Sequence, residues 1–223
     1  IHCKSMNPTR LTVLNRKTGQ SRIFSTFTDQ DGGSFGNGVI FFFTATEDKN
    51  GNVWLGTSSG PIILGNLSNI MNSDYRCTRI KVPRNDGTNY ADYLLEDESI
   101  NDIVVDGANR KWLATSSSGL YLVSENGTEI IDNQNTSNSI IPSDMIYDMA
   151  MNDATGEIFV ITDRGVASYR SDVSEVAPDY NNVVVYPNPV RPDYTGWITI
   201  QGLMDNSLVK ITDLAGNLFN QGY

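Results

Sequence analysis

Residues 47–60 read EDKNGNVWLGTSSG, and this stretch decides between three kinds of protein. Its first half, DKNGN, is rich in oxygen-bearing side chains and could form a calcium-binding loop. Its second half, GTSSG, has the small residues of a phosphate cradle. The whole stretch could instead be a tight hairpin turn between two β-strands. The rest of the sequence separates these interpretations, because the stretch recurs.

The same residue types return twice more at matching distances from an aromatic residue, except that Gly119 lies seven rather than six residues after Trp112. In the first copy an aspartate lies six residues before the tryptophan, a threonine three after it, and glycines three before and six after it. We predict that the aspartate and the glycines shape hairpins, and that the aromatic residue packs between successive units. The repeated positions are Asp48, Gly51, Trp54, Thr57 and Gly60, then Asp106, Trp112, Thr115 and Gly119, then Asp153, Gly156, Phe159, Thr162 and Gly165.

Each copy is flanked by short apolar segments rich in β-branched and aromatic residues. They precede the aspartate at residues 42–46, 100–105 and 146–151, and follow the last glycine at residues 62–64, 120–123 and 166–169. The unit is therefore strand, turn, strand, turn, strand. The aromatic positions are 58 and 47 residues apart, which is the size of a four-stranded propeller blade. We predict an all-β chain with β-propeller blades over residues 1–170, and a fourth strand for each blade in residues 65–99 and 124–145.

The repeats favour the hairpin over the calcium and phosphate sites. A calcium loop needs several converging carboxylates, and here only Asp48 is charged. The other copies replace Asn50 and Asn52 with Ala108 and Arg110, or with Thr155 and Glu157. GTSSG has no lysine in place and leads into a strand rather than a helix. We therefore predict no metal and no cofactor.

Composition and charge argue against several classes of function. The 223 residues carry a net charge of -10, which repels phosphate backbones and argues against nucleic acid as a partner. The longest apolar run, residues 39–43, is far too short to span a bilayer, so we do not expect an integral membrane protein. His2 is the only histidine, which excludes histidine-based catalytic triads. The acidic residues 95–102 are expected to form a solvated loop, and we predict no catalytic residue.

The repeat resembles the two-component-regulator propeller repeat found in sensor domains and secreted proteins of Bacteroidota. Residues 39–169 hold three copies, and residues 11–24 look like the outer hairpin of a further blade. The second copy departs from the family pattern at Asn109 and Ala114, and the third at Ile161 and Phe159. A sialidase Asp-box is a second possibility, but residues 46–54 are one residue too long for it.

The composition changes after residue 170. Residues 171–182 are polar and lack periodicity, as a linker does. Residues 183–223 contain alternating segments that predict the first half of a small antiparallel β-sandwich. They resemble the C-terminal sorting domain of type IX secretion, an address read by an outer-membrane translocon. The resemblance rests on Tyr186, Pro187, Asn188, Pro189, Gly196, Gly202, Asp213 and Gly216.

Propeller repeats followed by a sorting-type domain resemble the PorZ-like components of the type IX attachment complex. The resemblance implies a non-enzymatic, outer-membrane-associated protein at the cell surface. It would bind other secretion components, and anionic lipopolysaccharide or glycan would be a further ligand. Two alternatives remain: a periplasmic glycan-sensing propeller of a hybrid two-component system, and a propeller enzyme such as a sialidase-like glycosidase or a lyase. Because 4–8 blades close a ring, we expect the remainder of the same protein to complete the propeller.

Overall fold

A computed structural model describes residues 2–4, 10–35, 40–84, 87–171, 181, 183–204, 207–213 and 215–222. The chain divides into two compact units, Ile1–Ser174 and Glu175–Tyr223. Most of the predicted linker, residues 172–180 and 182, lies outside the described residues.

Where the structure describes it, the first unit consists of antiparallel strands and one short 3-10 helix at Leu67–Asn69. Its early strands are β1 (His2–Lys4), β2 (Leu11–Leu14), β3 (Ser21–Phe24), β4 (Phe27–Thr28), β5 (Ser34–Phe35), β6 (Phe42–Glu47), β7 (Val53–Thr57), β8 (Gly60–Leu64) and β9 (Thr78–Arg79). The later strands are β10 (Lys81–Pro83), β11 (Ala91–Tyr93), β12 (Ile100–Val105), β13 (Lys111–Thr115), β14 (Leu120–Val123), β15 (Ile130–Gln134), β16 (Ile146–Asn152), β17 (Glu157–Thr162) and β18 (Gly165–Arg170).

Three sheets follow the predicted blade pattern. The first blade is β6-β7-β8-β9, with β1 added beside β6. The second blade is β12-β13-β14-β15, and the third, over its described residues, is β16-β17-β18. The fourth strands β9 and β15 lie in the two segments predicted to hold them. All three blades also share a register shift near the start of the first strand, at Phe42/Thr44, Ile100/Asp102 and Ile146/Asp148.

The side chains of the middle strand of each blade pack on both faces of its sheet, because alternate residues of a strand point to opposite faces. One core cluster joins the predicted hairpin β2–β3 to Leu55 and Ile62 of the first blade. A second cluster places Trp54 of the first blade against Leu113 of the second. A third places Trp112 of the second blade against Val160 of the third. The all-β blade architecture is confirmed.

The described residues of the second unit form four strands, β19 (Val184–Tyr186), β20 (Thr199–Gln201), β21 (Val209–Thr212) and β22 (Leu218–Gly222). They form two antiparallel pairs, β19–β20 and β21–β22. Large apolar side chains are exposed here, with Trp197 90% and Phe219 78% accessible. The predicted half-sandwich thus has strand pairs but little buried apolar surface in this structure.

Candidate functional site

The hairpin at residues 47–60 is built around the Asp48 carboxylate. Asp48 Oδ1 accepts hydrogen bonds from the backbone N–H groups of Asn50 (3.0 Å) and Asn52 (2.9 Å). Asp48 Oδ2 accepts from Trp54 Nε1 at 3.1 Å. Burial alone would raise the pKa of Asp48, but the donors from Asn52 and Trp54 and the nearby Lys111 ammonium lower it below its ordinary value. The aspartate is therefore an ionised turn-former that also orients the tryptophan.

The second copy forms the same hairpin, but one oxygen of its aspartate has a different hydrogen-bond donor. Asp106 Oδ1 accepts from the backbone N–H groups of Ala108 and Arg110, each at 2.9 Å. Asp106 Oδ2, however, is occupied by Arg110 Nε at 2.7 Å rather than by the tryptophan. Asn109 takes the left-handed conformation (φ 60°) that Gly51 (φ 77°) takes in the first copy. Asparagine is one of the few residues that tolerate that region, which explains this departure from the repeat pattern.

The third copy corrects the prediction for Asp153. Pairing of Met151 with Ile158 places Asn152, not Asp153, at the position of Asp48 and Asp106. Asn152 Oδ1 accepts from the backbone N–H of Ala154 at 3.2 Å, and Asp153 is exposed. The turn is one residue longer here, so counting back from Phe159 selected the wrong residue.

The Thr–Gly hydrogen bond is the same in all three copies, although the second turn is one residue longer. The threonine hydroxyl donates to the glycine carbonyl for Thr57–Gly60 (2.6 Å), Thr115–Gly119 (2.7 Å) and Thr162–Gly165 (2.8 Å). A Cβ at Gly119 would lie 2.2 Å from the Gln134 carbonyl oxygen, so glycine is required for this close approach.

The aromatic positions share a register but not an environment. Trp54 and Trp112 are each 1% exposed, and each packs against the blade that follows it. Phe159 pairs with Ala150 as Trp112 pairs with Val104, yet it is 40% exposed. The prediction that this aromatic residue packs between units is correct for the two tryptophans. For Phe159, which the described residues leave partly exposed, it stays a prediction.

A buried ion pair joins the turns of the first and second blades. Lys111 Nζ donates to the backbone carbonyls of Asn109 and Glu125, each at 2.7 Å, and lies 3.3 Å from Asp48 Oδ2. It also lies 4.8 Å from the centre of the Trp54 ring. We call Asp48, Asn109, Lys111 and Glu125 the turn latch. Burial lowers the pKa of Lys111, while the Asp48 carboxylate opposes that shift.

Sequence reasoning missed the turn latch, although the alternation of β13 contains a signal for it. Lys111 is in phase with Leu113 and Thr115, and all three side chains are buried. A lysine in phase with buried residues of a central strand needs a carboxylate or carbonyl partner.

The predicted solvated loop at residues 95–102 also contains a structural carboxylate. Asp102 is fully buried, accepting from Thr44 Oγ1 (3.0 Å) in the first blade and from the Met149 N–H (2.8 Å) in the third. It bridges three blades, so the solvated-loop prediction is wrong for this residue. Glu98, in contrast, contacts the hydroxyls of Ser117 and Ser118 at the surface.

In the second unit Asp213 forms a hairpin turn by the same device as Asp48. Asp213 Oδ1 accepts from the backbone N–H groups of Ala215 (2.9 Å) and Asn217 (2.8 Å). Asn217 side-chain and backbone donors lower the pKa of this exposed carboxyl. Gly202 (φ 76°) and Gly216 (φ 87°) take left-handed conformations at turns. The sorting-domain resemblance itself stays a prediction.

We expect calcium to leave the thermal stability unchanged, because the oxygens of Asp48 and Asp106 already accept from N–H donors. Among the described residues, no cluster of three His, Cys, Asp or Glu side chains could hold a metal ion. The measurement is the melting temperature in millimolar calcium and in chelator. A rise of several degrees with calcium would contradict the hairpin interpretation.

Comparison with known proteins agrees with the blade geometry. Residues 34–59 match the family described as two-component regulator propeller. No curated protein sequence matches the chain significantly. Among solved structures, the chain is similar to PorZ of Porphyromonas gingivalis, described as an essential bacterial surface component of the type IX secretion system. The identity is 31% over 92% of this chain, with a TM-score of 0.63, and the chain covers 27% of the PorZ chain.

Two extracellular domains from B. thetaiotaomicron are further neighbours. One, from a hybrid two-component system, is 20% identical with a TM-score of 0.43, over 66% of this chain and 19% of that one. The other, from a one-component system, is 15% identical with a TM-score of 0.47, over 72% and 21%. No helix in the described part of the chain is both long and apolar enough to cross a membrane. From the repeat match and the similarity to PorZ, the chain is a β-propeller segment built from two-component-regulator-type repeats, similar in sequence and fold to part of PorZ.

Proposed function

We propose that this chain is part of a non-enzymatic accessory protein of type IX secretion at the bacterial cell surface. The observation that carries the proposal is the similarity to PorZ, at 31% identity over 92% of the chain. In this proposal the protein works by binding other secretion components at the outer membrane, and anionic lipopolysaccharide is a second ligand. The oxygens of the buried Asp48, Asp102 and Asp106 are engaged in turns and between blades, so we assign these carboxylates no catalytic role.

The outer face of the third blade is the surface we infer for contact with a further blade. We define it by Phe159, Ile161 and Val166, which are 40%, 41% and 65% exposed. Ile161 pairs with Val166 as Ala114 pairs with Leu120 in the second blade, where both residues are fully buried by the next blade. The equivalent face of the second blade is covered by the β-sheet of the third blade. A further β-sheet is therefore the partner that fits the outer face of the third blade. We propose that the remainder of the same protein supplies it.

Deleting the encoding gene in its own bacterium tests the secretion role. We expect proteins that use type IX secretion to be lost from the cell surface and to accumulate inside the cell envelope. The wild-type gene restored in trans is the matched control and should return them. Protease treatment of intact cells should also digest the protein if it lies at the surface.

Other outcomes would overturn the proposal. Unchanged surface levels of type IX cargo would contradict it. A lost transcriptional response to a glycan, with secretion intact, would instead indicate the two-component sensor. Breakdown of a glycan by the purified protein would indicate the enzyme.

A further inference from the structure

An apolar cavity of about 320 Å³ lies between the hairpin β2–β3 and the first blade. Strand β2 and the loop after β8 contribute half-buried apolar side chains to its wall, namely Leu11, Val13, Leu67 and Met71. None of the described residues that line the cavity is aromatic. The cavity lies in the first unit, and it shares no residue with the turn latch or with the outer face of the third blade.

The blade side of this cavity is equivalent to the place where the second blade receives Trp54. There Trp54 packs against Leu113 and Val123, with Lys111 Nζ 4.8 Å from the centre of its ring. Ile103 belongs to the same cluster. Strand pairing gives the counterparts of these four contact residues in the first blade, and all four line the cavity: Ala45, Val53, Leu55 and Leu64.

These positions are covered in the second blade and partly open in the first. Ile103 and Lys111 are fully buried beneath Trp54. Their counterparts Ala45 and Val53 are only half-buried, so a side chain that enters the cavity can contact them. Alanine in place of isoleucine also leaves more room at this point. The first blade therefore has the surface that receives an aromatic residue, without that residue.

The open edge of β2 is a second, independent observation. Where the structure describes it, the sheet of β2 and β3 has two strands, so the other edge of β2 is unpaired. In the first blade the outer pair β8–β9 continues through β8 to β7, the middle strand that carries Trp54. If β2–β3 is the outer pair of a further blade, as residues 11–24 predict, a middle strand pairs with the open edge of β2. Its repeat aromatic residue would then face the cavity.

We propose that this cavity receives the indole ring of a tryptophan on the middle strand of a preceding blade, supplied by the remainder of the same protein. PorZ is longer than this chain, which covers 27% of it, so a protein of this kind has room for further blades. A dry apolar cavity of about 150 Å³ binds benzene, and the larger cavity here suits the larger indole ring. The inference rests on the proposal that the remainder of the protein completes the propeller, and not on the role in secretion.

Free indole tests whether the cavity accepts this ring. The chain has six methionines, whose ¹³C-labelled methyl groups give separate signals that Met→Leu variants assign. We expect indole to shift the Met71 signal saturably, because Met71 lines the cavity and an aromatic ring changes the field at a nearby methyl group. Met149, buried between the second and third blades, is the internal control and should not shift.

The full-length product of the gene identifies the occupant. The photo-crosslinker p-benzoylphenylalanine replaces Ser68, an exposed residue of the cavity wall, or Ser73, an exposed residue of the same loop outside the cavity. We expect position 68, and not position 73, to crosslink to a tryptophan-bearing segment of the same polypeptide outside residues 1–223. We also expect indole to leave the Met71 signal of the full-length product unshifted, since the cavity is filled.

Four results would overturn the inference. They are a Met71 signal that does not shift saturably in the 223-residue chain, Met71 and Met149 signals that shift alike, and equal binding of indole to the full-length product. The fourth is the failure of position 68 to crosslink to such a segment, whether it gives no product or joins residues 1–223 or another protein. None of these measurements depends on secretion, so they fail or succeed separately from the gene-deletion test.

Discussion

Replacing Lys111 with isoleucine lowers the free energy of unfolding by about 3–5 kcal/mol, the usual cost of removing one partner of a buried ion pair. The ammonium group is fully buried, and it satisfies two backbone carbonyls as well as Asp48. Without it, the Asp48 charge and both carbonyls stay buried with fewer donors. Chemical denaturation of the wild-type and variant proteins measures the loss.

A compensating variant makes this expectation specific to the ion pair. In the third blade, Ile158 occupies the position that Lys111 occupies in the second blade. At the interface of these two blades, the equivalent of Asp48 is Asp106, which is paired with Arg110 rather than with a lysine. The double variant Asn52→Arg, Lys111→Ile copies that arrangement onto the interface between the first and second blades. It should recover part of the lost stability. Lys17→Ala, at an exposed turn, is the control and should cost little. If Lys111→Ile is neutral, the turn latch contributes no net stability.

The sequence predicts the blades well because their signals are local. Strand alternation, the Thr–Gly turn and the aromatic position all lie within residues 39–169, and each recurs. Periodic patterns of this kind determine which residues pair and where the turns fall. The hairpin β2–β3 was also predictable, since residues 11–24 repeat the outer part of a blade.

The errors arise where a residue's role depends on its partner across an interface. Asp102 stands in an acidic run that suggests solvent, but it contacts Thr44 and Met149 from two other blades. The role of Lys111 depends on Asp48, which lies 63 positions earlier in the sequence. Asp153 was misassigned because strand register, rather than distance from Phe159, sets the turn position. The partners of Asp102 and Lys111 lie in other blades, so they cannot be identified from the sequence of one blade alone.

Replacing Trp112 with alanine should cost about 3–5 kcal/mol, whereas Phe159→Ala should cost less than about 1 kcal/mol. The two residues occupy the same repeat position, so the pair compares one site with and without a covering blade. Trp112 is buried against Ile146 and Val160 of the third blade, and its removal leaves a large cavity. Phe159 is 40% exposed and already contacts solvent. Chemical denaturation of both variants measures the difference.

A large cost for Phe159→Ala would contradict this expectation and would show that its face is covered in solution. Concentration separates the two ways in which that could occur. If a second copy of the chain covers the face, the stability rises with protein concentration, and Ile161→Lys removes that dependence. If a segment of the same chain covers it, the stability is independent of concentration, and Ile161→Lys destabilises the monomer. A small cost that does not vary with concentration means that nothing within the 223 residues covers the outer face of the third blade, as expected if the remainder of the same protein covers it.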